Sequence, residues 1–193
     1  MENKIMERIK FGLYSLVIVF ILSSCATTSG TTPQTKRQAV LAMKNETLSN
    51  LYKVRPGAKA EIAKAPGYAV FSNVNINVIF ASFGGGYGVV VQHKGAKPVF
   101  MKMGEVGIGF GLGVKDFRAV FIFHDKATLT KFVNSGWQFG AQADAAAKAG
   151  DKGAAVGGEV VLDGITIYQL TESGLALQAT VKGTKYWKDD SLS

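Results

Sequence analysis

The 193-residue chain is basic, with 22 lysine and arginine residues against 14 aspartate and glutamate residues and a formal net charge of +8. Hydrophobic residues make up 47% of the sequence and charged residues 19%, a composition that excludes a wholly disordered chain. The one cysteine, Cys25, excludes an intramolecular disulfide.

The first 24 residues have the organisation of a secretory signal peptide. Lys4, Arg8 and Lys10 precede an apolar run from Phe11 to Leu22, and small residues follow this run. A run of about twelve residues is too short for a helix that must cross roughly 30 Å of hydrocarbon. An uncleaved membrane anchor and an ordinary signal peptide with a chance cysteine are the alternatives.

The segment Leu22-Ser23-Ser24-Cys25 resembles the lipobox of bacterial lipoproteins, in which the cysteine is acylated and becomes the new N-terminus. The resemblance implies diacylglycerol and palmitate on Cys25, and several acyl chains anchor a protein stably where a single chain does not. Residues 26 and 27 lack the aspartate that retains lipoproteins in the inner membrane. We therefore expect a cell-envelope protein, lipid-anchored in the outer membrane and facing the periplasm, with residues 25–34 as a flexible tether.

Two helices are predicted after the tether. Apolar residues recur at helical spacing between Thr35 and Lys53, and Pro56 and Gly57 then interrupt the pattern. A second, short helix is predicted from Ala58 to Lys64, before Pro66 and Gly67 interrupt the pattern again.

Strands are predicted in most of the remaining chain, where the apolar pattern changes its period. Residues 94–97 are expected to form a hairpin loop. Asp125 is expected to cap a further helix that ends near Gly136. A weakly helical stretch is expected at residues 143–153. The predicted strands are 68–71, 76–80, 87–93, 98–103, 105–114, 117–123, 160–161, 165–170 and 175–181.

Alternating glycines are the strongest structural signal in the sequence. Gly107, Gly109, Gly111 and Gly113 alternate with apolar residues, so one face of this strand carries side chains and the other is bare backbone. Bare backbone permits close approach or a sharp bend. The same glycines do not fit a dinucleotide-binding loop, because Leu112 occupies the position of its third glycine. We predict one α+β domain at residues 35–193, with helices packed on a curved, mostly antiparallel sheet that is barrel-like in one alternative.

Residues with catalytic or metal-binding patterns are scarce. His93 and His124 have no second ligand at metal-binding spacing, and the nucleophile-elbow pattern is absent. Asp189 and Asp190 lie close to the C-terminus, where solvated acidic residues are common. We therefore expect neither a cofactor nor enzymatic activity, and a hydrolase with a dispersed site is the remote alternative.

The basic charge is concentrated between residues 36 and 64, whereas the chain after residue 131 is slightly acidic. Because export makes nucleic acid an improbable partner, we expect these cations to attract anionic lipid headgroups. A solvated basic surface that aids solubility is the alternative. Apolar residues of the first helix are expected either to insert into the membrane or to pack on the core. The candidate lipid-binding residues are Lys36, Arg37, Lys44, Lys53, Arg55, Lys59 and Lys64.

Several segments, in order, resemble the SYLF domain family. The resemblance covers about residues 36 to 188 and implies a lipid-binding domain, with phosphatidylinositol binding described for eukaryotic relatives and actin binding for some. Glu172 departs from the basic residue that many relatives carry after the tyrosine-containing strand. The expected function is non-catalytic binding of lipid or an anionic membrane surface. The alternative is an envelope protein that binds another protein through an apolar sheet surface. The matching segments are 64–71, 85–91, 106–111, 137–141, 156–158, 167–168, 174–177 and 182–184.

Overall fold

A computed structural model describes residues 30–93, 95–139, 159–162, 164–171, 174–175 and 182–193. The predicted signal peptide, Cys25 and the predicted helical stretch at 143–153 lie outside the described residues.

Three α-helices occur in the described part of the chain: α1 (Pro33–Val54), α2 (Ala58–Lys64) and α3 (Lys126–Ser135). Thr32 caps α1 and shares a reciprocal capping box with Thr35. The Asp125 side chain accepts a hydrogen bond from the backbone N–H of Thr128, which confirms the predicted cap of α3. Gly136, with a φ of 68°, follows α3 and ends it.

Two very long strands, β1 (Gly67–Gln92) and β2 (Val99–Phe123), form one antiparallel hairpin. Pairing begins at Val90 and Val99 beside the loop and extends to Gly67 and Phe123. The predicted hairpin loop is confirmed, but the division of this region into six separate strands is wrong. Polar and glycine residues that looked like strand ends are paired across the hairpin, so they do not interrupt it.

Five shorter strands complete the sheet: β3 (Trp137–Phe139), β4 (Glu159–Leu162), β5 (Ile165–Thr171), β6 (Gly174–Leu175) and β7 (Lys182–Lys188). All the observed pairings are antiparallel. In the described residues the sheet is open, with the order β3-β7-β2-β5-β4, while β1 also pairs with β2 and β6 with β5. Strands β3 and β7 were not predicted, and residues 176–181 of the last predicted strand lie outside the described residues.

The long hairpin bends so far that the two halves of β1 come into contact. A methyl group added at Gly88 would overlap the carbonyl oxygen of Val70, and one added at Gly86 would overlap that of Ser72. At the ends of β1, the His93 N–H donates to the carbonyl of Pro66 at 3.0 Å. Close backbone approach at glycine therefore produces the predicted curvature of the sheet.

Side chains on the two faces of the sheet form two separate cores. Helices α1 and α2 cover one face, where Val40 and Leu51 pack with residues such as Val70 and Phe100. Helix α3 covers the other face, where the buried rings of Phe71, Phe121, Phe123, Phe132 and Tyr186 pack in edge-to-face and tilted contacts. Every core residue of the described chain lies between Val40 and Leu192, so a chain beginning at Gly30 contains both cores.

A buried polar contact joins the two halves of the bent hairpin. The Asn73 amide donates to the Glu105 carboxylate at 2.8 Å, and both side chains are buried. Burial, together with the nearby negative charge of Glu105, raises the pKa of Tyr186 well above its usual value of 10.0.

Candidate functional site

The apolar stripe of α1 faces the protein interior. Val40 and Leu51 are completely buried, and Met43, Thr47 and Leu48 are also buried on the same side of the helix. These residues therefore pack in the core. Of the two roles predicted for the apolar residues of this helix, membrane insertion and core packing, the structure shows the second.

The seven predicted basic residues lie in two groups, one between the first turns and the middle of α1 and the other at its end and on α2. Lys36 and Arg37 are in its first turns and Lys44 is near its middle, whereas the other four are at its far end or on α2. With a helical rise of 1.5 Å per residue, Lys36 and Lys53 are roughly 25 Å apart along the axis. We call the second group the basic corner: Lys53, Arg55, Lys59 and Lys64.

The basic corner is exposed and is rigidly attached to the sheet. All four of its side chains are exposed, and Lys53, Lys59 and Lys64 form no ion pair with any other described residue. Glu61, the acidic residue of α2, accepts a hydrogen bond from the Tyr168 hydroxyl of β5 at 2.8 Å. This contact holds α2, and with it the corner, against the sheet.

A further lysine next to the basic corner was not predicted as a site residue. The hairpin loop starts beside the end of α2, because His93 Nδ1 contacts the carbonyl of Ala65 at 2.6 Å. The loop carries Lys97, which is exposed. The sequence predicted a hairpin loop that contains lysines. It did not predict that the bend of the hairpin places this loop beside α2.

The contacts of Arg37 indicate a structural role for this residue. Its Nε donates to the carbonyl of Leu192 at 3.0 Å, and its Nη2 donates to the carbonyl of Ser193 at 3.2 Å. Leu192 belongs to a 3₁₀ turn (Asp190–Leu192) and is buried against the core that α1 covers. Arg37 therefore fastens this C-terminal turn to the beginning of α1.

A second candidate surface is apolar and lies on the sheet. Phe83 and Val106 pair directly across the hairpin and are 57% and 59% exposed. Trp187 of β7 is 39% exposed, and its ring lies against Gly104, where an added methyl group would be 3.2 Å from it. We call these residues the uncovered sheet face: Phe83, Gly104, Val106 and Trp187.

The histidines and the C-terminal aspartates have structural contacts. His124 Nε2 lies 2.7 Å from the Thr166 hydroxyl. Burial alone would raise the pKa of Asp189, but hydrogen bonds from Ser191 and Lys102 and the charge of Lys102 lower it overall.

No group of three or more histidine, cysteine, aspartate or glutamate residues that could hold a metal ion occurs among the described residues. None of the described helices is both long and apolar enough to span a membrane.

The chain is similar over most of its length to a known protein. The chain is 35% identical to Beta cell expansion factor A from Aeromonas veronii. The alignment extends over 164 residues and covers 83% of this chain and 61% of the relative, so the chain spans less than two thirds of that protein. No protein-family model matches the chain.

Proposed function

We propose that this chain is a membrane-anchored lipoprotein whose domain binds an anionic membrane surface without catalysis. The basic corner is the observation that carries this proposal. Its lysines are exposed, are not neutralised by acidic partners in the described chain, and lie on helices held firmly against the sheet. Each lysine close to an anionic membrane contributes about 1 kcal/mol of binding free energy.

The anchor in this proposal is Cys25, acylated with diacylglycerol and palmitate and held in the outer membrane with the domain facing the periplasm. Several segments resemble those of the SYLF family and follow in the same order, and this resemblance supports a lipid-binding domain. The headgroups bound in this proposal are negatively charged, as phosphatidylinositol headgroups are. Since the apolar stripe of α1 is buried, attraction by the basic corner is electrostatic and does not need insertion of this helix.

The test uses a chain that begins at Gly30, which lacks the acyl anchor but contains both cores. Flotation with vesicles of phosphatidylglycerol and phosphatidylcholine is compared with flotation on phosphatidylcholine alone, at low and high salt. We expect binding to the anionic vesicles that weakens with salt, because screening shortens the range of charge attraction. Changing Lys53, Lys59 and Lys64 to glutamine should weaken this binding by up to about a hundredfold, as expected for about 3 kcal/mol.

A control variant removes the same charge from the opposite face of the sheet. Lys126, Lys131 and Lys188 are exposed on or beside α3, and their replacement by glutamine should leave most of the binding intact. Equal losses in the two triple variants would show that only net charge matters and would contradict a specific role for the basic corner.

The second candidate function is that of an envelope protein that binds another protein through its sheet. The observation in its favour is the exposure of Phe83, Val106 and Trp187. Apolar contacts are much less sensitive to salt than charge attraction. Binding to a purified envelope protein that persists at high salt, together with failure to bind vesicles, would favour this candidate.

A further inference from the structure

The uncovered sheet face continues the face on which α1 packs. Phe100 and Val89 are cross-strand partners in the core beneath α1. Because side chains alternate along a strand, Lys102, Gly104 and Val106 point to the same side as Phe100. The helices therefore cover the beginning of this face and leave its continuation open to solvent.

The composition of this continuation suits the boundary between lipid headgroups and acyl chains. Phe83 and Val106 supply adjacent apolar side chains, and Trp187 supplies an amphipathic ring of the kind enriched at membrane interfaces. Lys102 and Lys185 lie on the same face, since they pair with Trp187 and Gly104 respectively, and both lysines are exposed. Long basic side chains beside apolar ones can extend to headgroups while the apolar groups enter the interface.

Contacts in the C-terminal turn connect this face to the tethered end of α1. Lys102 forms an ion pair with Asp189 at 3.1 Å, and the Asp189 N–H donates to the carbonyl of Phe100 at 2.9 Å. Arg37 then binds the carbonyl groups of Leu192 and Ser193. The end of the uncovered sheet face at Trp187, the cross-strand partner of Lys102, is therefore connected through this turn to the first turns of α1.

The length of the tether limits how far this face can be from a lipid anchor. Pro33, the first residue of α1, is eight residue steps after Cys25. Even fully extended, they span at most about 29 Å. A lipid on Cys25 would therefore keep the beginning of α1 within that distance of the bilayer.

We infer that Phe83, Val106 and Trp187 form a membrane-inserting face that enters the interfacial region of the bilayer. This inference rests on the proposed function, because it names the part of the domain that contacts the lipid after the basic residues have attracted it. The occupant of this face is the headgroup–acyl boundary of an anionic bilayer.

Fluorescence of Trp187 tests the inference in the chain that begins at Gly30. A Trp137→Phe variant leaves Trp187 as the only tryptophan, and a Trp187→Phe variant leaves the half-buried Trp137 as the control. On addition of phosphatidylglycerol–phosphatidylcholine vesicles, the emission of Trp187 should shift to shorter wavelength. Lipids brominated on their acyl chains should quench Trp187 and leave Trp137 unaffected.

Substitutions in the face provide a second measurement. Because Phe83 and Val106 are exposed, their joint replacement by threonine removes apolar surface without opening the core, and it should weaken vesicle binding roughly tenfold. Val54→Thr is the matched control, since Val54 is 48% exposed at the far end of α1. Val106→Thr alone should weaken binding more than this same change at residue 54.

The outcomes separate this inference from the proposed function. Salt-sensitive vesicle binding with unshifted Trp187 emission, and with no effect of the Phe83 and Val106 substitutions, would overturn the inference and favour a protein partner for this face. The basic corner would then remain the lipid-binding site. Absence of binding to any vesicle would overturn both.

Discussion

Two apolar surfaces on the same face of the sheet have opposite environments. The surface around Val70 and Phe100 lies beneath α1 and is buried, whereas the surface formed by Phe83 and Val106 is mostly exposed. Both belong to the same two strands, and both alternate with residues of the opposite face. Alternation therefore shows that a strand has an apolar side, but the position of the helices decides whether that side becomes core or a contact surface.

The largest expected effect that distinguishes the two surfaces is on stability. Leu51 of α1 is completely buried over the covered surface, so Leu51→Ala should lower the free energy of unfolding by about 2–5 kcal/mol. Phe83→Thr on the uncovered surface should change it by less than about 0.5 kcal/mol. Urea denaturation of the chain beginning at Gly30 measures both values, and a large loss at Phe83 would mean that its exposed surface is covered in solution.

A smaller effect is expected where the bend brings the two halves of β1 together. A methyl group at Gly88 would overlap the Val70 carbonyl and the Phe71 ring, so Gly88→Ala should destabilise the fold by about 1–3 kcal/mol. Gly57, before α2, has a helical φ of −60° and no neighbour closer than 3.8 Å to an added methyl group. Gly57→Ala should therefore stabilise by about 0.4–1 kcal/mol, and thermal unfolding of the two variants compares them. Similar melting temperatures would contradict the close approach at Gly88.

The smallest expected effect is on the free energy of unfolding at alkaline pH, and it distinguishes Tyr186 from its neighbour Trp187 in β7. Tyr186 is buried and its pKa is raised, so above pH 10 the unfolded chain loses the tyrosine proton while the folded chain retains it. Stability should therefore decrease as pH rises, with Tyr186 accounting for about 1.4 kcal/mol at pH 11. Tyr186→Phe should flatten this decrease, measured by urea denaturation between pH 8 and 11.

Trp187→Phe, on the uncovered face, is the control for this measurement and should leave the slope unchanged. Tyr52 and Tyr68, whose pKa values are also raised by burial, remain in both variants and account for a residual slope. If Tyr186→Phe does not alter the slope of stability against pH, the Tyr186 hydroxyl is in contact with solvent in the folded protein.

Local signals in the sequence predicted the helices closely. The breaks at Pro56 and Pro66 delimit α2, and the Asp125 cap begins α3 within the predicted range. Strand boundaries were predicted poorly in the hairpin, because residues such as Asn73 and Gly104 resemble strand ends when they are considered alone. The amide nitrogen of Asn73, within β1, donates a hydrogen bond to Glu105, and this partner is distant in sequence.

The candidate site was predicted only in part for a similar reason. The sequence located the basic residues between 36 and 64, but the length of α1 divides them, and the contacts of Arg37 with the C-terminal turn are not visible in any local pattern. The exposure of Phe83 and Val106 could not be predicted, because it depends on which part of the sheet α1 covers. The curvature was predicted from the alternating glycines at 107–113, and the close backbone approaches between the two halves of β1 occur at Gly86 and Gly88.

The single long hairpin also has a consequence for the order in which the protein folds. Gly67 and Phe123 are far apart in sequence, and direct pairing between them would require closure of a long loop. Pairing that starts at the loop between Val90 and Val99 and extends outward closes only a short segment at each step. The hairpin can therefore form by successive local additions, and the contacts of Gly86 and Gly88 with the first half of β1 must follow, once both halves exist.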